Sequence, residues 1–194
     1  MATNHERTDE QERRSTIHAA AIAVFSAQGF AATSMADIAT AAGISRPALY
    51  QYFANKRDIF ASAFAALIDE SVDRALAALK APGSVAEQLD GLLQRFDGDL
   101  WEGMAASAHS EEILQTKNEL AVDPWAPSLE RLHKGLAAYV RRQGATRARS
   151  SEWTDLLELS PKGFKIDRPS VATYRRRLTA LANGVAAALT ASSG

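Results

Sequence analysis

Cysteine is missing from all 194 positions, which removes disulfide frameworks, thiol nucleophiles and cysteine-ligated metal sites together. Long apolar runs are missing too: nothing approaches the ~18 residues of a membrane span, so no membrane contact is expected. One stretch imitates a targeting signal, because Arg13 and Arg14 precede the apolar run Ala19 to Phe25. That run is mostly alanine, and Ile17, Ala21, Val24 and Phe25 instead mark one stripe of a helix. A reducing, cytoplasmic compartment is the expectation. An excess of one charge is also lacking. The net charge is −1, and residues 1–60 carry six basic and six acidic side chains, so any nucleic-acid reading must rest on where charges sit. No Gly-x-Ser-x-Gly, phosphate loop, dinucleotide fingerprint or metal-ligand spacing occurs. Glu111 and Glu112 are adjacent on a helix and diverge, so they cannot share one site. The chain is therefore expected to be no enzyme and to need no cofactor or metal.

What is present is helical periodicity. Apolar residues make up 46% of the chain, and no stretch alternates long enough for a strand. Residues 1–9 read as a loose polar arm, followed by a helix from about Asp9 to Gln28 that Gly29 stops. A short second helix starts at Thr33 or Ser34, with Met35, Ile38, Ala39 and Ala42 on one face, and Gly43 ends it. A third starts at Ser45 with Pro47 in its first turn, where a missing N–H costs little. Asn55 opens a long fourth helix to Lys80. Beyond the Ala81-Pro82-Gly83-Ser84 break, helices are expected at about 84–101, 105–120, 127–143, 151–163 and 169–190, with Pro161 and Gly163 kinking or ending the fourth of these. The fold expected is all-α: a three-helix helix-turn-helix domain over 1–58, and a helical bundle for ligand binding and dimerisation over 59–194.

Two short helices joined by a turn with Gly43 fit a helix-turn-helix. Leu49 and Phe53 of the third helix face the core, which leaves Arg46, Ala48, Tyr50, Gln51 and Tyr52 outward. Arginine can donate two bonds to a guanine edge, glutamine can pair with adenine, and Ala48 and the Pro47 ring can meet a thymine methyl. Thr33 and Ser34 lie at a helix N-terminus, where free N–H groups favour an anion, and Lys56 is a point charge within reach of the backbone.

The segment TSMADIATAAGISRPALYQYFANKRDIF, with AAIAVFSAQGF upstream, closely resembles the DNA-binding domain of the tetracycline-repressor (TetR) family across about residues 13–60. The resemblance implies a homodimer on a double-stranded operator, two recognition helices in successive major grooves, and release of DNA when a ligand enters the second domain. It would place Arg46, Pro47, Ala48, Tyr50 and Gln51 at bases, and Thr33, Ser34, Ser45, Tyr52 and Lys56 at phosphates.

The remainder resembles the family only in layout. Phe64, Leu67, Leu89, Leu93, Phe96, Leu100, Trp101, Met104, His109, Trp125, Tyr139 and Trp153 are its large inward candidates. Trp101, Met104 and His109, near Trp125, are the first choice for lining a pocket for a small apolar or amphipathic effector. Val171, Tyr174, Leu178, Leu181, Val185 and Leu189 make an apolar stripe expected to form the dimer, with Ala182, Gly184, Ala186 and Ala188 permitting close approach. Arg141, Arg142, Arg147 and Arg149 read as a solvated loop, although a phosphate-bearing ligand could use it. The rival readings are an enzyme and a helical adaptor that binds another protein. Sequence-specific, salt-dependent DNA binding separates both from a repressor.

Overall fold

A computed structural model describes residues 4–120 and 123–191, with side chains from Thr8 onward. Every regular element among the described residues is helical. The helices are α1 (Asn4–Gln28), α2 (Met35–Ala41), α3 (Arg46–Tyr52), α4 (Lys56–Ala78), α5 (Val85–Leu93), α6 (Asp99–Ala105), α7 (Ser110–Asn118), α8 (Ala126–Arg142), α9 (Arg147–Gly163) and α10 (Val171–Ala191). A π-helical turn, Gln94–Gly98, joins α5 directly to α6. None of the described helices is long and apolar enough to cross a membrane.

Several boundaries differ from those expected. The helix α1 begins at Asn4, so residues 4–9 are helical rather than a loose arm, and residues 1–3 lie outside the described part. The gap expected between residues 101 and 105 is absent: α6 runs through Gly103 to Ala105. The Thr146 hydroxyl accepts the Arg149 N–H and starts α9 early, so Arg147 and Arg149 sit on a helix instead of a loop. The same helix ends at Gly163, two residues past Pro161.

The chain forms two compact units. One takes in the chain up to Leu67 together with Ser107–Trp125; the other comprises Ile68–Ala106 and the chain from Ala126 onward. The division is not the single cut after residue 58 that the sequence suggests, because the segment carrying α7 belongs with the first unit.

In the first unit, Ile17, Ala21 and Phe25 of α1, Ile38 of α2, Leu49 of α3 and Ile59 and Phe60 of α4 are all fully or almost fully buried. Phe25, Phe30 and Phe60 form a ring triangle with centroids 5.3–5.5 Å apart. Burying one such side chain contributes about 1.5–3 kcal/mol. Gly29 stops α1 at φ +83°, a conformation that a side chain would strain. The α7 segment is tied on by three bonds: the Ser107 hydroxyl donates to the Ser26 carbonyl (2.8 Å), the Ala31 N–H donates to Glu112 (2.5 Å), and Arg57 donates to the Glu119 carbonyl (3.3 Å).

The second unit buries one apolar cluster. Val72 of α4, Leu79 just past its end, Leu89, Leu92 and Leu93 of α5, Leu132 and Leu136 of α8, Leu157 of α9, and Tyr174, Leu178, Val185 and Leu189 of α10 all belong to it. Ser84 and Glu87 form a reciprocal capping box at the start of α5, which satisfies two backbone donors the helix leaves open.

Candidate nucleic-acid interface

The reading head follows from three local devices. Ser34 caps α2: its hydroxyl accepts the Asp37 N–H at 3.2 Å, while the Asp37 carboxylate takes the Ser34 N–H at 2.8 Å. The Ser34 hydroxyl first, then its N–H, hold the Asp37 carboxyl below the usual carboxylate range. Gly43 turns the chain at φ +67°, which a residue with a side chain adopts only under strain, and the Ile44 N–H closes back onto the Ala39 carbonyl at 3.0 Å. Ser45 then caps α3 by accepting the Ala48 N–H at 3.2 Å, with Pro47 in the first turn.

Leu49 and Phe53 anchor α3, at 0% and 2% exposure, so the opposite side of this short helix must face out. Arg46, Pro47, Tyr50 and Gln51 are exposed there, and Ala48 and Tyr52 are half-buried. The Arg46 guanidinium lies 5.6 Å from the Tyr50 ring centre and donates to its hydroxyl at 3.4 Å. This stacking holds the arginine over the outer face, where its planar fork remains suited to a guanine edge. Tyr52 receives the Arg14 guanidinium over its ring at 5.7 Å.

Two residues expected at phosphates are turned inward. Thr33 is 2% exposed and its hydroxyl donates to the Gly29 carbonyl at 2.5 Å, so it serves the end of α1. The Lys56 ammonium donates to the carbonyls of Phe30 (2.7 Å), Thr33 (2.9 Å) and Ala31 (3.0 Å) and lies 4.6 Å from the Phe30 ring centre. An ammonium has three donors, and all three are in use. Ser34 stays exposed, but Asp37 already puts a negative charge at the start of α2, where a phosphate would have to sit.

The sequence reading overlooked the α1 side of this surface. Arg13 and Thr16 line a depression of about 160 Å³ with Ala48, Gln51 and Tyr52 of the reading helix. The signal was available: Arg13 lies one turn before buried Ile17, so it emerges beside the same packing edge. Nearby, burial first and the positive Arg14 second lower the His18 pKa, favouring the neutral imidazole that sits 2.9 Å from the Ser62 hydroxyl.

This arrangement has relatives. The sequence pattern described as bacterial regulatory proteins, tetR family, matches residues 17–63. Residues 17–63 thus carry the DNA-binding domain of the tetR family. It is 36% identical over 74 residues to the uncharacterized HTH-type transcriptional regulator YezE of Bacillus subtilis, covering 38% of each chain. It is 31% identical over 90 residues to the HTH-type transcriptional activator FasR of Mycolicibacterium smegmatis, covering 46% of this chain and 41% of that one. The chain thus spans about two fifths of the length of the curated relatives it matches. The transcriptional regulator FadR from Bacillus subtilis, solved in complex with stearoyl-CoA, shares the fold at a TM-score of 0.59 and 19% identity, over 90% of this chain and 96% of that one.

The residues expected around an effector are scattered in this chain. Phe64, Leu67, His109 and Trp125 fall in the first unit. There Phe64 stacks on Phe60 at 4.4 Å, His109 faces Glu112 at 3.7 Å, and Trp125 is 5% exposed under the Lys117 ammonium. Trp101 and Met104 belong to the second unit, so the expected group of Trp101, Met104, His109 and Trp125 does not assemble within either. Trp101 instead packs on Tyr174 at 5.3 Å and donates to the Pro169 carbonyl at 3.3 Å. Tyr139 is core, its hydroxyl donating to Gln88 at 2.6 Å, and Trp153 packs against the same core while Leu100 is half-buried on α6. The second unit does contain a cavity of about 120 Å³, to which Leu93 and Phe96 contribute with Leu92, Asp97, Leu129, Leu132, Leu136, Leu157, Glu158 and Lys162.

The stripe expected at a dimer interface is internal. Tyr174, Leu178, Val185 and Leu189 are at most 2% exposed within one chain, and Val171 and Leu181 are half-buried. The apolar face of α10 packs against α5 and α9 of the same chain.

Proposed function

We propose that this chain is a ligand-responsive transcriptional repressor that binds a palindromic operator as a homodimer and lets go when a small, largely apolar effector enters its second unit. The observation that carries the reading is the capped, glycine-turned pair α2–α3, which leaves Arg46, Tyr50 and Gln51 exposed on one side of a helix anchored by Leu49 and Phe53. The absence of a net positive charge limits non-specific attraction, so specificity rests on these side chains.

Two half-sites need two linked reading heads. The outward faces of α9 and α10 supply a surface for linking them. Leu156 and Leu159 are 41% and 57% exposed on α9, and Ala172, Ala180, Gly184 and Ala187 are exposed along α10. A Cβ added at Gly184 would meet nothing, so a second helix has room to approach there. The occupant we assign is the same face of a second copy, because a two-fold pair aligns two identical reading helices with a palindrome.

The effector site is the leucine-lined cavity of the second unit. Stearoyl-CoA, named with FadR, is far larger than this space of about 120 Å³, so a smaller molecule suits this chain. The helix α4 runs unbroken from Lys56 to Ala78 and is the element through which binding is communicated. Selection of bound sequences from a random DNA pool tests the reading. A palindrome with half-sites one helical turn or a multiple apart is expected, and no enrichment would favour a protein-binding adaptor instead. A reporter fused to the selected site then separates repression from the activation for which FasR is named.

A further inference from the structure

The helix α3 has two flanks beside its buried edge. Arg46 and Tyr50, four residues apart, share one flank; Ala48 and Tyr52 share the other, and Gln51 lies between them on the outer side. A helix with its side chains is about 10–12 Å across and the major groove is about 12 Å wide, so a reading helix seated there brings both flanks against sugar-phosphate backbone. The first flank carries its own cation, Arg46. The second has none on α3, because alanine and tyrosine are uncharged.

That second flank opens onto the depression of about 160 Å³ between α3 and α1. Ile17 and Ile44 make its lining partly apolar, while Arg13, Gln51 and Tyr52 bring hydrogen-bond donors. The Thr16 hydroxyl, also in the lining, already donates to the Glu12 carbonyl at 3.0 Å. Arg13 alone in the lining is charged. It is exposed, and among the described residues none hydrogen-bonds or ion-pairs with it. The carboxylates of α1 are absent from the lining, and Glu10 is held by Arg14 at 3.4 Å. Arg14 in turn lies over the Tyr52 and Phe53 rings at 5.7 and 5.3 Å, a second positive charge beside the depression. A free guanidinium presents a planar fork of donors that matches two phosphate oxygens. Lys56 cannot take this part, since its three donors are spent on carbonyls of its own chain.

We propose that this depression seats a backbone phosphate of the operator, gripped by the Arg13 guanidinium with Gln51 and Tyr52 beside it, so that α1 rather than α4 supplies the electrostatic hold on DNA. The assignment rests on the DNA-binding reading above and goes further in naming the residue of α1 and the group it holds. Every step of a duplex carries a phosphate, so Arg13 holds all sequences alike and leaves their discrimination to the outer side of α3.

Fluorescence anisotropy of the full chain across a salt series tests the seat, with the duplex recovered by selection and with a scrambled duplex of equal length and composition. Arg13→Gln keeps most of the stem and removes the charge. It is expected to weaken both duplexes alike, roughly fivefold per protomer at about 0.15 M salt, and to lower the salt slope by about 0.9 per protomer. Arg13→Lys is expected to keep the slope. Thr16→Lys, which adds a cation to the same rim, is expected to steepen the slope by about 0.9 per protomer and to tighten both duplexes. An unchanged slope in Arg13→Gln, a loss confined to the selected duplex, or a slope that Arg13→Lys fails to keep would each overturn the seat and leave DNA binding standing. A slope unmoved by Thr16→Lys would place this side of α1 away from the backbone and overturn the seat as well. If the unmutated chain binds neither duplex, the seat and the DNA-binding reading fall together.

Discussion

Replacing Lys56 tests whether the reading head is built as described. A lysine between a helix-turn-helix and a long helix invites a phosphate contact, and the loss of one such contact lowers the salt dependence of DNA binding by about 0.9 in slope. The structure leads to a different expectation. The three donors of the Lys56 ammonium go to the carbonyls of Phe30, Ala31 and Thr33, the residues that carry the chain from α1 to α2. A hydrogen bond to a charged group contributes about 1.5–3 kcal/mol net when buried. Lys56 is only half-buried and Ala31 is exposed, so water replaces part of what is lost. The ring contact with Phe30 adds about 0.5–1 kcal/mol. For Lys56→Met, which keeps most of the stem, the sum is about 2–3 kcal/mol of destabilisation. For a chain of this length that corresponds to a melting temperature lower by about 5–10 °C. Urea unfolding monitored in the first unit gives the stability, and fluorescence anisotropy across a salt series gives the slope. A slope that falls by about one while stability stays unchanged would show that Lys56 faces DNA, and the inward cap would be wrong.

Arg46→Ala is expected to cost about 1–3 kcal/mol on the selected operator and little on random DNA; equal losses on both would confine Arg46 to the phosphates. Leu159→Glu is expected to yield a folded monomer by analytical ultracentrifugation, whereas Leu178→Glu, which puts a charge at a site with 0% exposure, should unfold the second unit. A dimer that survives Leu159→Glu unweakened would move the interface elsewhere. Asp97 sets a pH dependence: burial raises its pKa against the pull of Lys165, so the folded chain keeps the proton to higher pH than the unfolded chain. Stability then falls as pH rises from the ordinary carboxylate range through that raised value, and Asp97→Asn should remove the fall. Superimposable stability–pH curves for the two proteins would refute the assignment. Operator DNA should weaken effector binding by the same factor by which the effector weakens DNA binding, about 1–3 kcal/mol of coupling; identical effector affinity with and without DNA would separate cavity from regulation.

The sequence by itself determined the helices and the reading head. Apolar spacing in α1, the glycines at 29 and 43, and the serines at 34 and 45 are local signals, each acting within one turn of the residue that carries it. They gave the helix-turn-helix, its anchor residues Leu49 and Phe53, and its outward set without any knowledge of what lies far away in the chain. Periodicity also showed that α10 has an apolar face. What that face meets is not a local property, and tertiary structure decided it: Tyr174, Leu178 and Val185 are buried against α5 and α9 of the same chain. The same holds for side chains with distant partners. Lys56 looks free in the sequence because its carbonyl partners lie 23–26 residues away, and Asp97 looks like any surface acid until Lys165 and Tyr174, 68 and 77 residues on, donate to it. Hydrogen bonds and burial between distant segments depend on packing geometry, and a pattern of residue types along one helix carries no record of which neighbour will cover it.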